Sequence, residues 1–229
     1  VGEPTAVVFD LDDTLYPERR FALSGYAAVA TVVGGETGMP AGVLYRFLVR
    51  RFRKHGREGL LQALCAAFAL SPQEVPRLVE IIRTHGPRLR LPHDSRDVLG
   101  VLRARGHRLG VLTNGLPSTQ RAKVRALGID GLVDVVVYAQ EHAPEGKPAH
   151  VCFATILARL DVHAARAVFI GDHPEKDIAG AAAAGLRPIW LPGRRLDPAP
   201  PAAEAVARSL ADVPGLVGRL LEVHHVAAC

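Results

Sequence analysis

Five short apolar runs, several rich in valine, recur at 6–10, 108–112, 133–137, 166–170 and 187–191, and helical periodicity fills 94–105, 117–127, 148–160 and 176–184. A run that is apolar at nearly every position, yet too short for a buried helix, reads as a strand covered on both faces. Strands alternating with helices predict an α/β fold: a doubly wound parallel sheet with right-handed crossovers and helices on both sides. In such sheets ligands bind beyond the carboxyl ends of the strands.

One stretch breaks the alternation. From about Arg19 to His85 the patterns are helical only, near 21–34, 40–54, 58–69 and 72–84, punctuated by Gly34-Gly35, Gly56 and Ser71-Pro72. Ser71 suits an N-cap and Pro72 a first helical turn. The expected division is a core of residues 1–16 and 92–229 interrupted by a helical subdomain at 17–91. Past Pro192, Asp197-Pro198-Ala199-Pro200-Pro201 reads as a stiff linker. It leads to an amphipathic region at 202–222 and a frayed tail.

The ends of the strands carry the chemistry. Ala6-Val7-Val8 runs into Phe9-Asp10-Leu11-Asp12-Asp13-Thr14-Leu15, which places three carboxylates at the mouth of the first strand. Buried charge must be paired or coordinated, so this cluster asks for a cation. Residues two apart in an extended segment share a side, so Asp10 and Asp12 can address one ligand. The alternative is a polar turn in which Asp13-Thr14 caps a neighbouring element. Val111-Leu112-Thr113-Asn114-Gly115 ends a second strand in groups that can donate to an anion, and Gly146-Lys147-Pro148 sets a lysine before a proline suited to a helix start. Val168-Phe169-Ile170-Gly171-Asp172 ends another strand in acid, with Asp177 following in His173-Pro174-Glu175-Lys176-Asp177. Two strand-end acids, a hydroxyl with an amide, and a lysine are the parts of a metal-assisted phosphoryl-transfer site.

These segments, in this order, resemble the four motifs of the haloacid dehalogenase-like (HAD) hydrolase superfamily: DxDxT at Asp10, Asp12 and Thr14, then Thr113-Asn114, Lys147, and GDxxxxD from Gly171 to Asp177. The resemblance implies a Rossmann-like HAD core, and the position of the helical insert implies the subgroup with an α-helical cap. It implies a Mg²⁺-dependent phosphatase of a small phosphorylated metabolite, acting through an aspartyl-phosphate. Asp10 would be the nucleophile and Asp12 the general acid and base. The Asp10 side chain, Asp12 backbone carbonyl and Asp172 would hold Mg²⁺. Thr113 and Asn114 would bind phosphate oxygens, and Lys147 would neutralise nucleophile and phosphoryl group. Thr14 would support the loop. Asp177 would either bond to a metal-bound water or orient Lys147, unless it is a surface acid in a first helical turn. His142 and His173 are read as loop residues. Other readings are a phosphomutase of the same superfamily or a metabolite-binding member without turnover. Dehalogenation is disfavoured by Asp12, because a departing halide needs no proton.

Composition narrows the setting. With 48% hydrophobic and 22% charged residues the chain is of the soluble globular type, and no apolar run approaches the roughly 18–20 residues of a membrane span. Val1-Gly2-Glu3-Pro4 shows no secretion signal, and Cys65, Cys152 and Cys229 are too few and scattered for a disulfide framework or zinc site, so a cytoplasmic protein is expected. A net charge of +5 suits an anionic partner. Arg46, Arg50, Arg53 and Arg57 form one helical stripe opposite Leu44, Phe47, Leu48 and Phe52, but no aromatic platform accompanies it, so no nucleic-acid partner is expected. Arg51 falls on the apolar side of that wheel, where it either snorkels outward or meets an anionic substrate. The sequence does not choose between monomer and homodimer.

Overall fold

A computed structural model describes residues 3–193 and 198–222. Its sheet comprises β1 (Ala6–Phe9), β2 (Arg108–Thr113), β3 (Val135–Tyr138), β4 (Ala167–Gly171), β5 (Arg187–Trp190) and the short β6 (Ala205–Val206). All pairings are parallel, in the order β3-β2-β1-β4-β5-β6. The central β1 pairs Phe9 with Val111 on one side and Ile170 on the other. Chain direction across the sheet reverses between β1 and β4, the switch point where open α/β sheets bind ligands. Asp10 and Asp172 leave β1 and β4 at that point.

Helix α1 (Arg19–Thr37), α2 (Ala41–His55), α3 (Leu60–Ala67) and α4 (Val75–Thr84) precede α5 (His93–Ala104), α6 (Pro117–Leu127), α7 (His150–Leu160), α8 (Gly180–Ala183) and α9 (Val213–Glu222). The chain divides into two compact units: Glu18–Leu89, which holds α1 to α4, and the segments before and after it.

In the sheet-bearing unit, alternate strand residues face opposite layers. Ala6, Val8, Leu112, Val137, Ala167 and Phe169 pack with Phe153, Ile156 and Leu160 of α7. Phe153 meets Phe169 edge to face with centroids 5.4 Å apart. Each such side chain, fully buried, contributes about 1.5–3 kcal/mol. Helices α5 and α9 pack together and cover the sheet through β2 and β4.

The helical unit has its own core of Tyr26, Val29, Val33, Leu44, Leu48, Leu64 and Leu78. Arg46, Arg50, Arg53 and Arg57 are exposed, Leu44 and Leu48 buried, and Arg51 half-buried with its Nε lacking a hydrogen-bond partner. Ser71 caps as expected, accepting from the Gln73 N–H, with Pro72 in the first turn.

Several boundaries differ from expectation. Helix α1 runs through Gly34-Gly35 and ends at Gly38, which takes φ 73°. Gly34 instead opens space, since a Cβ there would lie 2.8 Å from the Met39 carbonyl. Pro148 is not in the first turn of α7: it precedes the N-cap Ala149, and the Lys147–Pro148 peptide is cis. The segment after Pro198 is not a linker leading away. Ala203 N–H turns back to the Pro200 carbonyl, Glu204 pairs with Arg187, and β6 adds to β5. Residues 202–222 are therefore a strand, a short 3₁₀ turn and α9 rather than one amphipathic stretch. Asp197, the tail beyond residue 222 and Cys229 lie outside the described residues; Cys65 and Cys152 are buried thiols. No described helix is long and apolar enough to cross a membrane.

Candidate active site

Asp10 follows the last residue of β1, and its N–H bonds to the Ile170 carbonyl at 2.8 Å, extending the β1–β4 ladder by one step. The chain then turns sharply. Asp13 takes φ 59°, a conformation that Asp tolerates better than most side chains. Its N–H bonds the Tyr16 carbonyl at 2.9 Å. Thr14 is buried, and its hydroxyl lacks a hydrogen-bond partner, so the expected support of this loop does not come through a side-chain hydrogen bond.

At the end of β4 the chain enters a single π-helical turn, Pro174–Ala179. Such a turn brings Asp177 back over the strand it has just left. The His173 ring accepts from the N–H groups of Glu175 and Lys176, capping the turn, while the His173 backbone N–H donates to Asp177 Oδ2 at 3.0 Å. Asp177 is therefore no surface acid: it is 2% exposed. The Trp190 indole N–H donates to the Asp172 carbonyl at 3.1 Å and anchors the same loop from β5.

Carboxylate oxygens of Asp10, Asp172 and Asp177 all lie within 4.8 Å of one another. Lys147, 2% exposed, donates to Asp10 Oδ1 at 2.5 Å and Asp177 Oδ1 at 2.7 Å. Its ammonium also sits 5.3 Å from the Phe169 ring centroid. Asn114 holds Lys147 from behind: Oδ1 accepts from the Lys147 N–H at 2.8 Å and Nδ2 donates to the Lys147 carbonyl at 3.1 Å. The Asn114 side chain is thus occupied by lysine backbone. Gly146 makes this approach possible, with φ 67° and with Asn114 Oδ1 and Gln140 Nε2 each 2.7 Å from where a Cβ would stand.

Burial raises the Asp10 pKa well above the ordinary value; Lys147 opposes the rise, and the charges of Asp177 and Asp12 add to it. Burial pulls the Lys147 pKa down, but the carboxylates of Asp10 and Asp177 more than offset this and hold it above the usual lysine range. Three carboxylates against one ammonium leave an excess of negative charge in a confined space. An all-oxygen donor set with that charge fits a hard divalent cation. Asp12 does not join this side-chain cluster.

The Asp12 carboxylate turns instead toward residues that the four segments did not include. Lys123 Nζ lies 2.9 and 2.8 Å from its two oxygens, Gln120 Nε2 donates at 2.9 Å and the Tyr16 hydroxyl at 2.6 Å. Gln120 Nε2 also reaches the Thr113 hydroxyl at 2.5 Å. Gln120 and Lys123 are buried on α6 along the face that carries Val124 and Leu127. The available signal was two polar residues at core-facing positions of an amphipathic helix.

A family model for haloacid dehalogenase-like hydrolases matches residues 4–185. The ribulose-1,5-bisphosphate 5-phosphatase of Halopiger xanaduensis is 33% identical over 237 aligned positions, covering 91% of this chain and 93% of that protein. The glyceraldehyde 3-phosphate phosphatase of Methanopyrus kandleri is 32% identical over 189 positions, covering 79% and 81%. The solved 2-haloacid dehalogenase of Pseudomonas syringae pv. Tomato DC3000 is 27% identical with a TM-score of 0.65, covering 94% of this chain and 99% of that chain. By the family model and by relatives above 30% identity over most of its length, the chain belongs to the haloacid dehalogenase-like hydrolases.

Proposed function

We propose that the protein is a Mg²⁺-dependent phosphatase that hydrolyses a small-molecule phosphate monoester through an aspartyl-phosphate on Asp10. The observation that carries this reading is the oxygen cluster of Asp10, Asp172 and Asp177 with Lys147 bonded into it. The phosphatases among its relatives support the same reading.

Asp10 and Asp172 side chains and the Asp12 backbone carbonyl would hold Mg²⁺, which when bound neutralises charge on the phosphoryl oxygens. Asp10 attacks phosphorus and the ester P–O bond breaks, with Asp12 giving its proton to the departing oxygen. Asp12 then takes a proton from water as the water oxygen attacks phosphorus. The Asp10–phosphorus bond breaks and inorganic phosphate leaves. Lys147 stays protonated through both steps and balances the charge of Asp10 and the phosphoryl group. Thr113, through its hydroxyl, and Asn114, through its backbone N–H, serve as donors to phosphate oxygens. Asp177 holds Lys147 in place. In this reading the Glu18–Leu89 unit acts as the cap that selects the substrate.

The 2-haloacid dehalogenase neighbour makes halide displacement the competing chemistry. A carboxyl aligned by three donors two residues after the nucleophile favours the phosphatase, since a halide leaves without a proton. The test is phosphate release from 4-nitrophenyl phosphate and a metabolite panel with Mg²⁺. Asp10→Asn is expected to remove turnover and keep the fold, and Asp12→Asn to slow both formation and breakdown of the phosphoenzyme by about 10²–10⁴-fold. Chloride release from a 2-haloacid, net isomerisation of a phosphosugar, or binding without turnover would each replace this reading with another.

A further inference from the structure

We infer that Lys123 and Gln120 are positioning residues for proton transfer, fixing the direction of the Asp12 carboxylate toward the leaving oxygen. This rests on the phosphatase reading above. An aspartate has two free torsions, and the Asp12 side chain remains 23% exposed, so nothing in its own packing fixes its aim. Three side chains from two elements do so. Lys123 Nζ spans both oxygens almost symmetrically, at 2.9 and 2.8 Å. The Tyr16 hydroxyl takes Oδ1 and the Gln120 amide takes Oδ2. Together they define the carboxylate plane as well as its distance. Gln120 adds a second restraint, because its Nε2 is shared with the Thr113 hydroxyl at 2.5 Å. One amide therefore sets the acid–base group relative to a proposed phosphate donor.

The burial of this cradle argues for a purpose beyond stability. Lys123 is 3% and Gln120 1% exposed. Removing an ammonium from water carries a penalty of several kcal/mol, and a buried ion pair often stabilises a fold no better than apolar residues of the same shape. Val124 and Leu127 already supply apolar packing on that face of α6. An orienting role has a large return by comparison, since misplacing a catalytic group by about an ångström can slow a reaction about 10²-fold.

The experiment compares two esters of similar size on the full chain with Mg²⁺. Benzyl phosphate expels an alkoxide that needs protonation, whereas 4-nitrophenyl phosphate expels a phenolate that does not. Lys123→Met is expected to lower kcat/KM about 100-fold on benzyl phosphate and by less than about 5-fold on 4-nitrophenyl phosphate. This ratio reports only the steps up to departure of the alcohol, while kcat falls on both because breakdown of the shared phosphoenzyme also needs Asp12. In an Asp12→Asn background the same change should add less than about 2-fold, because the residue acts through Asp12. Equal losses of kcat/KM on both esters, or an undiminished loss without Asp12, would overturn the assignment. Tyr16→Phe, which removes one donor at nearly constant volume, should show the same selectivity at about 3–10-fold and decides the matter if Lys123→Met does not fold. Wild-type protein that releases phosphate from neither ester nor from any metabolite phosphate would instead sink the phosphatase reading itself.

Discussion

Asp10 sits where its own charge is disfavoured. Burial and the charges of Asp177 and Asp12 raise its pKa above aspartate's ordinary 3.8, against the pull of Lys147. The folded protein therefore holds that proton more tightly than the unfolded chain does. Stability from this group is fully present below the unfolded value and is lost as pH rises through the raised folded value. Without metal, wild type should lose stability relative to Asp10→Asn as pH rises above aspartate's ordinary 3.8 and through the raised folded value. Saturating Mg²⁺ should close the gap, because a bound cation offsets the charge that the proton otherwise cancels. Denaturant unfolding of both proteins at a series of pH values measures this. A gap that stays flat with pH, or widens when Mg²⁺ is added, would contradict the charge excess inferred for the cluster.

At the scale of elements, the site depends on how closely the π-helical turn folds back on β4. A Cβ on Gly171 would stand 2.5 Å from Asp177 Cβ, Cγ and Oδ2, so any side chain there must push the turn away. Gly171→Ala should cost about 1–3 kcal/mol of stability. It should also weaken Mg²⁺ binding at least about tenfold, because Asp177 would lose its hold on Lys147. Gly110→Ala is the control: the atoms nearest its Cβ are Ile156 Cδ1 and Leu160 Cδ1, at 2.9 and 3.0 Å, at the ends of side chains. It should lose stability without loss of Mg²⁺ affinity in a calorimetric titration. The sequence made the alternation of elements legible because β1 and β4 are apolar throughout, β2 has an apolar centre between Arg108 and Thr113, and α6 is framed by Pro117 and Gly128. It also brought Asp10, Lys147, Asp172 and Asp177 into view, since each lies just after a strand or before a helix. The Asp12 cradle stayed hidden because Gln120 and Lys123 are ordinary helix formers whose chemistry appears only when α6 docks. β6 was invisible for a different reason: two residues carry no periodicity, and pairing with β5 alone defines them as a strand.

Among the described residues one apolar core is centred on Phe153, Ile156 and Phe169 in the sheet-bearing unit, and another, which shares no residue with it, on Tyr26, Leu48 and Leu64 in the helical unit. Chains built this way commonly depart from a single all-or-none transition. The proposed cation ligands all belong to the sheet-bearing unit, so bound Mg²⁺ stabilises that unit directly by mass action, by about 2.7 kcal/mol at a hundred times its dissociation constant. The chain's single tryptophan provides a local reporter. Trp190 is buried in β5 and donates to the Asp172 carbonyl, so its fluorescence follows the sheet-bearing unit and the loop that would hold the cation. Far-UV circular dichroism instead weighs the helices of both units. On heating with increasing Mg²⁺, the fluorescence midpoint should climb, while part of the dichroism change, that of α1 to α4, should stay in place. Coincident midpoints that climb together would mean that the two cores unfold as one. A fluorescence midpoint indifferent to Mg²⁺ would remove the cation from the strand ends altogether.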